Sequence, residues 1–175
     1  MSWQLDTGHT YIGFTGRHLM VSTVRGEFEK FSGTVEFDEQ DITRSRADIQ
    51  IEAGSVTTHN AQRDEHFRSA DFFDVEHYPY ITFTSKRVIM QDAQHGQLVG
   101  DLTIRDATHE IALDVEQTGG GKDPWGNQRL GFTAKATLNR SEWGLKWNQA
   151  LEAGGVLVSD KVEIEVEAQV VQVGA

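Results

Sequence analysis

The 175-residue chain has no cysteine, which excludes disulfides and thiolate metal sites and leaves the redox compartment open. Basic residues are sparse. Sixteen Lys and Arg stand against 27 Asp and Glu, a net charge of −11, and they are scattered rather than gathered into a stripe. Nucleic acid and anionic membrane surfaces are therefore not expected as partners. Long apolar runs are missing too, so no stable membrane insertion through a helix is expected. The opening "MSWQLDTGHT" lacks the basic start and apolar core of a secretory signal. As given, the chain is expected in the cytoplasm, and in the periplasm if a signal once preceded it. Its length suits a single domain, residues 1–175, with a core of its own.

What the sequence has in abundance is period-two alternation. Val162, Ile164, Val166 and Ala168 face one way while Lys161, Glu163, Glu165 and Glu167 face the other, as in a strand with one wet face. Ile12 with Phe14, Ile49 with Ile51, Ile81 with Phe83, and Phe132 with Ala134 and Ala136 repeat the pattern. "LVGDLTIR" and "HEIALDVEQ" flank Asp106, Ala107 and Thr108 at hairpin distance, where Asp tolerates positive φ. "EQTGGGKDPWGNQ" reads as a flexible loop, with Pro124 as a strand stop. Eight or more sequential antiparallel strands are expected, and closure would remove their edges. The fold class is all-β: an up-and-down barrel or strongly coiled sheet.

One stretch breaks the alternation. From about Thr57 to Asp74, helix formers follow a candidate N-cap at Thr58 or Asn60, with Asp64 and Glu65 early enough to suit the helix dipole. "SADFFD" could start a second short turn, and Pro79 ends the insertion before a strand at Tyr80. Phe67, Phe72 and Phe73 on this insertion either plug one end of the barrel or wall an apolar cavity. An eight-stranded barrel is wide enough for filling side chains or for one small ligand. Small residues at candidate inward positions (Gly13 or Gly16, Ala47, Ala53, Gly100, Ala112, Ala134, Ala136, Ala168) favour a cavity, subject to register. A strand of about ten residues is roughly 33 Å long, so such a cavity suits a linear apolar tail.

The order "WQLDTGHTYIGFTGRHLMVSTVRGEF", "SVTTHNAQRDEHFRSADFFDVEHYPYITFTS", "VGDLTIRDATHEIAL", "GFTAKATLNRSEWGL" and "LVSDKVEIEVEA" resembles the YceI-like family of polyisoprenoid-binding proteins over nearly the whole chain. The most specific part holds Arg63, Asp64, His66, Asp71, Phe72, Phe73, Asp74, Tyr78, Pro79 and Phe83. The resemblance implies an extended, lipocalin-like, eight-stranded antiparallel β-barrel with a short helical insertion. It implies a long isoprenoid chain, such as a polyprenyl quinone or its precursor, held in an elongated tunnel for sequestration or transport. Other long-chain lipids, including fatty acids and their amides, fall within what it allows, and so does a homodimer. The chain departs from the family pattern at Asp106-Ala107, where Gly is usual, a change of turn with little expected effect on binding.

The polar residues give weaker signals. Of seven histidines, His9, His59, His95 and His109 read as solvated, while His66 and His77 could converge; no spacing matches a zinc helix, and no metal is expected. No "GxSxG" turn occurs, and Gly119–Gly121 lack the Lys-Ser/Thr and helix of a phosphate loop. Arg63, Asp64 and Arg140 are expected to pin the helix through backbone and carboxylates, or to meet a polar head at the mouth, a role also open to His18. Trp143 and Trp147 either line that mouth or pack.

The leading reading is a non-enzymatic binding module without a cofactor, its ligand-binding wall formed by Phe14, His18, Phe28, Phe67, Phe72, Phe73, Ile81, Phe83, Leu102, Leu113, Phe132 and Trp143. Shrinking Phe72 and Phe73 should then weaken lipid retention more than stability. Two rivals stand beside it. One is an enzyme or redox partner acting on an isoprenoid quinone, with His18 or His66 moving protons. The other is a structural or stress-response protein whose barrel is filled.

Overall fold

The computed structural model describes residues 2–19, 21–148 and 158–173. Eleven strands follow in order: β1 (Ser2–Leu5), β2 (Tyr11–His18), β3 (Ser22–Phe28), β4 (Phe31–Glu36), β5 (Arg46–Glu52), β6 (Val56–Thr57), β7 (Tyr80–Met90), β8 (His95–Ile104), β9 (Ala107–Lys122), β10 (Gln128–Asn139) and β11 (Lys161–Val173). One α-helix, α1 (Ala61–Arg68), lies between β6 and β7.

The sheet runs β1-β4-β5-β7-β8-β9-β10-β11, and β11 returns to β1, so eight strands close into an antiparallel barrel. The seam is split along its length. Val170–Val173 of β11 pair with β1, while Glu163–Glu167 pair with β2. β1 and β2 thus share one slot, interrupted by a 3-10 turn at Thr7–His9 whose N-cap, Asp6, accepts from the Gly8 amide. β3 and β4 continue one another in the next slot, pairing with β2 and β1 respectively. On the outside, Arg129 ties the seam to the β9–β10 hairpin: it bonds Asp6 at 2.6 Å, Asp123 at 2.8 Å and the Gln169 side chain at 2.9 Å.

Two local expectations are corrected. Ile104 pairs with Ala107, so the β8–β9 turn is Arg105-Asp106, and it is Arg105 that takes positive φ (58°). Gly119–Gly121 are part of β9 rather than of a loop, and the turn is confined to Asp123–Asn127. Glycine serves a purpose in this strand: a Cβ on Gly120 would come within 2.7 Å of the Leu130 side chain across the pair.

α1 is capped by Asn60, whose side chain accepts from the Arg63 amide. Asp64 folds back under the helix start and accepts from both the amide and the hydroxyl of Thr58, so its role is a clasp in addition to its charge near the dipole. "SADFFD" forms the short turns expected after the helix.

Candidate functional site

Antiparallel partners point to the same face, so the register fixes what meets in the lumen. Ala134 pairs with Val166 and Phe132 with Ala168 on β10 and β11; Phe83 pairs with Leu102 and Ile49 with Phe83 on the opposite wall. Together these faces enclose a cavity of about 840 Å³ that runs the length of the barrel. At about 3.3 Å per residue, the 11 residues of β7 span roughly 36 Å along the strand, and a tilt of about 40° leaves roughly 28 Å along the axis. The volume lies high in the range of about 300–1,000 Å³ found for small-molecule pockets.

The lumen is hollow. Ile49, Ile111, Val115, Ile164 and Val166 all point inward and line the cavity, yet each stays only half-buried, since empty space faces them. A filled barrel would bury these side chains completely.

The aromatic insertion answers both descriptions it was given. Phe14, Phe28, Phe67, Phe72 and Phe73 form one cluster, with ring centroids 5.7 Å apart for Phe14–Phe28 and Phe28–Phe73 and 5.0 Å for Phe67–Phe72. Phe28, Phe72 and Phe73 are buried, so the cluster caps the barrel as core, and all five rings also line the cavity beneath. Ile81, Phe83, Leu102, Leu113 and Phe132 line its length. His18 lines it beside the β2–β3 hairpin. Trp143 lines it too, but at 2% exposure with its indole N–H donated to the Leu102 carbonyl at 2.9 Å it is primarily packing. Trp147 stacks edge-on against His66, centroids 4.5 Å apart.

Among the small residues, Gly13, Gly16, Ala47, Ala134 and Ala168 line the cavity, and Ala136 packs against the same core. Three do not open it. Ala112 is exposed on the outer face; Ala53 is buried in a 3-10 turn; and Gly100 is packed so tightly that an added Cβ would lie 2.5 Å from the Thr84 carbonyl. The far end of the lumen comes from residues the sequence did not single out, Val35, Phe37, Ile42, Val88 and Met90. Parity flags Val35 on β4 but misplaces Val88 and Met90, because a bulge between Ser85 and Arg87 shifts β7 by one residue and turns them to the face of Ile81 and Phe83. Phe37 and Ile42 lie in the β4–β5 connection, where no periodicity applies.

The two arginines differ from expectation. Arg63 pairs with no carboxylate among the described residues; its Nε donates to the Thr58 hydroxyl at 2.8 Å and its Nη2 to the Thr58 carbonyl at 2.9 Å. Arg140 is buried and, among the described residues, its side chain bonds only carbonyls, those of Ser159, Leu145, Trp147 and Val158, holding the chain after β10 against the strand start at Lys161. Burial pushes its pKa down, opposed by the charge of Asp160. His66 and His77 do not converge: each takes its own carboxylate, Asp71 and Asp74, at 2.9 Å. His109 is exposed but not merely solvated, since its Nε2–H donates to the Glu142 carbonyl at 2.8 Å and its ring stacks on Trp143. Among the described residues no group of three or more His, Asp or Glu is placed to hold a metal ion, and no helix is long and apolar enough to cross a membrane.

The model of the YceI-like domain matches residues 3–170. The chain belongs to the YceI-like family. Consistent with this, it is 40% identical over 168 residues to a UPF0312 protein of Staphylococcus epidermidis, covering 95% of each chain. The solved YCEI protein of Campylobacter jejuni superposes with a TM-score of 0.79 at 30% identity, covering 90% of each. A polyisoprenoid binding domain from Saccharophagus degradans shares the fold alone, with a TM-score of 0.70 at 15% identity over 98% of each chain. The YceI-like barrel is thus the frame on which this chain builds its cavity.

Proposed function

We propose that this YceI-like protein is a non-enzymatic carrier that holds a long-chain isoprenoid lipid, a polyprenyl quinone or its precursor, in the barrel. The observation that carries this reading is the lumen: long, about 840 Å³, and walled almost throughout by aliphatic and aromatic side chains. Burying ten methylenes there contributes about 8 kcal/mol at about 0.8 each. Association and ordering take several kcal/mol back, so a longer tail is needed for tight retention. A polyprenyl tail has that length and is linear. The ligand named for the Saccharophagus domain points the same way. The twelve residues proposed for the wall, from Phe14 to Trp143, would then contact the tail, with His18 nearest a polar head.

The test is uptake. Delipidated protein is incubated with vesicles containing a long-chain polyprenol, separated, and assayed for lipid. Stoichiometric transfer into the protein is expected. Uptake of a fatty acid or fatty amide with rejection of the polyprenol would replace the isoprenoid with those lipids, and uptake of neither would remove the carrier reading.

A further inference from the structure

At the end away from α1 the lumen comes to the surface. Ala93 and Gln94 of the β7–β8 turn line it there and are exposed, as is Arg46 at the start of β5. The Gln117 amide of β9 donates to the Gln94 carbonyl at 2.9 Å, so β9 borders this mouth. The strand does not stop there. Its pairing with β8 ends at Glu116, whereas its pairing with β10 continues to Lys122. At about 3.3 Å per residue, residues 118–122 carry the hairpin roughly 17 Å along the strand past the β7–β8 turn.

The tip of this arm presents Trp125 at 80% exposure, in a turn built to hold it there. One carboxylate oxygen of Asp123 accepts the amides of Trp125 and Asn127 at 2.9 Å each, and the other accepts from Asn127 Nδ2 and Arg129 Nε. The Gly126 amide closes the turn on the Asp123 carbonyl at 3.1 Å, with Gly126 at a φ of 87°. Arg129 in turn anchors the stem to Asp6 and Gln169. A single apolar residue exposed on a loose loop needs no explanation. An indole held in water by this many bonds is positioned for contact. Val173 at the end of β11 and Ile89 near the end of β7 are exposed apolar residues on the same rim.

Two features set the kind of partner. A Cβ at Gly119, Gly121 or Gly126 would meet nothing within 4 Å, so the stem beside the indole is bare of the neighbours that ring a protein hot spot. A lone indole, apolar in its rings and polar at its N–H, suits the level of lipid headgroups. Charge then sets which surface. Glu36, Glu39, Asp41, Asp92 and Glu116 are exposed around this end and outnumber Arg44, Arg46 and Lys122, and the chain carries −11 overall, so an anionic surface is repelled. We propose that the β9–β10 arm docks the barrel through Trp125 on a zwitterionic bilayer, bringing the mouth at Ala93 and Gln94 to the lipid. Cargo then passes by contact rather than through water, in which a long apolar tail barely dissolves. This rests on the carrier reading above and adds to it the route of loading and release.

In the experiment, protein loaded with radiolabelled polyprenol is mixed with phosphatidylcholine vesicles, and the rate of transfer is followed as vesicle concentration rises. The rate is expected to climb with vesicle concentration, as contact requires, and to fall about tenfold in Trp125→Ala, the worth of one large apolar side chain leaving water. The polyprenol held at equilibrium and the melting temperature should not change in that variant, and Trp125→Phe should keep most of the rate. Replacing part of the phosphatidylcholine by phosphatidylglycerol should slow transfer at low salt, and added salt should restore it. Docking without cargo is read by quenching of tryptophan fluorescence in delipidated protein by brominated phosphatidylcholine. Quenching is expected in the wild type and should be lost in Trp125→Phe, since Trp3 and Trp143 are buried. A rate independent of vesicle concentration, or equal in wild type and Trp125→Ala, would overturn the proposal while leaving the carrier intact; an arm that docks on a protein would give the second of these results. Faster transfer to the anionic vesicles would overturn it as well. Quenching without any uptake of polyprenol would instead remove the carrier reading alone.

Discussion

At the scale of single residues, the lumen makes an uncommon promise: there are positions where a larger side chain meets space rather than neighbours. Ala134 faces Val115 and Val166 across its two pairs and lines the cavity. Ala134→Phe should therefore leave the melting temperature unchanged or slightly raised while sharply reducing lipid uptake. In a filled barrel the same change would cost about 1–3 kcal/mol by overpacking, and thermal melting separates the two outcomes. Shrinking Phe72 and Phe73 is a poorer test, because these rings cap the core and wall the cavity at once, so stability and retention would fall together. Arg140 marks the opposite kind of position. Arg140→Ala would strip a donor from four carbonyls, and a loss of roughly 3–5 kcal/mol is expected in urea unfolding.

Among the elements, the β9–β10 hairpin carries a legible acid response. The Arg129 guanidinium, aided by bonds from Asn127 and Trp125, holds the Asp123 carboxyl down at about 2. A carboxylate with a depressed folded pKa stabilises the fold fully above its unfolded value near 4 and loses that contribution as pH falls through about 2. Melting temperature should thus drop between about pH 4 and pH 2, and Asp123→Asn should be less stable at neutral pH with a shallower drop in that window. Element by element, the long strands were legible because one wet face writes alternation directly into β10 and β11. The closure was not. β1 is four residues long and its partner in β11 lies at the other end of the chain, as in Ser2↔Val173, so nothing local announces the pairing. The three glycines of β9 read as loop since glycine has no side chain with which to show a period, and the positive φ fell on Arg105, a residue with no preference for it. The wall was legible where parity ran through strands, and dark at Phe37 and Ile42, which reach the lumen from a connection.

For the whole molecule, the barrel divides its labour by end. One end is capped by α1, five phenylalanines and the chain held by Arg140; the other is closed in part by the Trp3, Leu5 and Val170 core, with Phe37 and Phe132 packed beside it. Between them the strands need no filling, because a bound tail would supply the missing apolar contacts. Ligand and stability are then linked: a lipid at about a hundred times its Kd adds about 2.7 kcal/mol to the folded state. Delipidated protein should melt lower than protein as purified, and recover on reloading.

The most direct measurement is native mass spectrometry of the purified protein, followed by organic extraction and identification of what is released. The account predicts a stoichiometric adduct of a single long-chain species, lost on denaturation and absent from Ala134→Phe. A bare protein of sequence mass that also takes up no added polyprenyl quinone or fatty acid would contradict it.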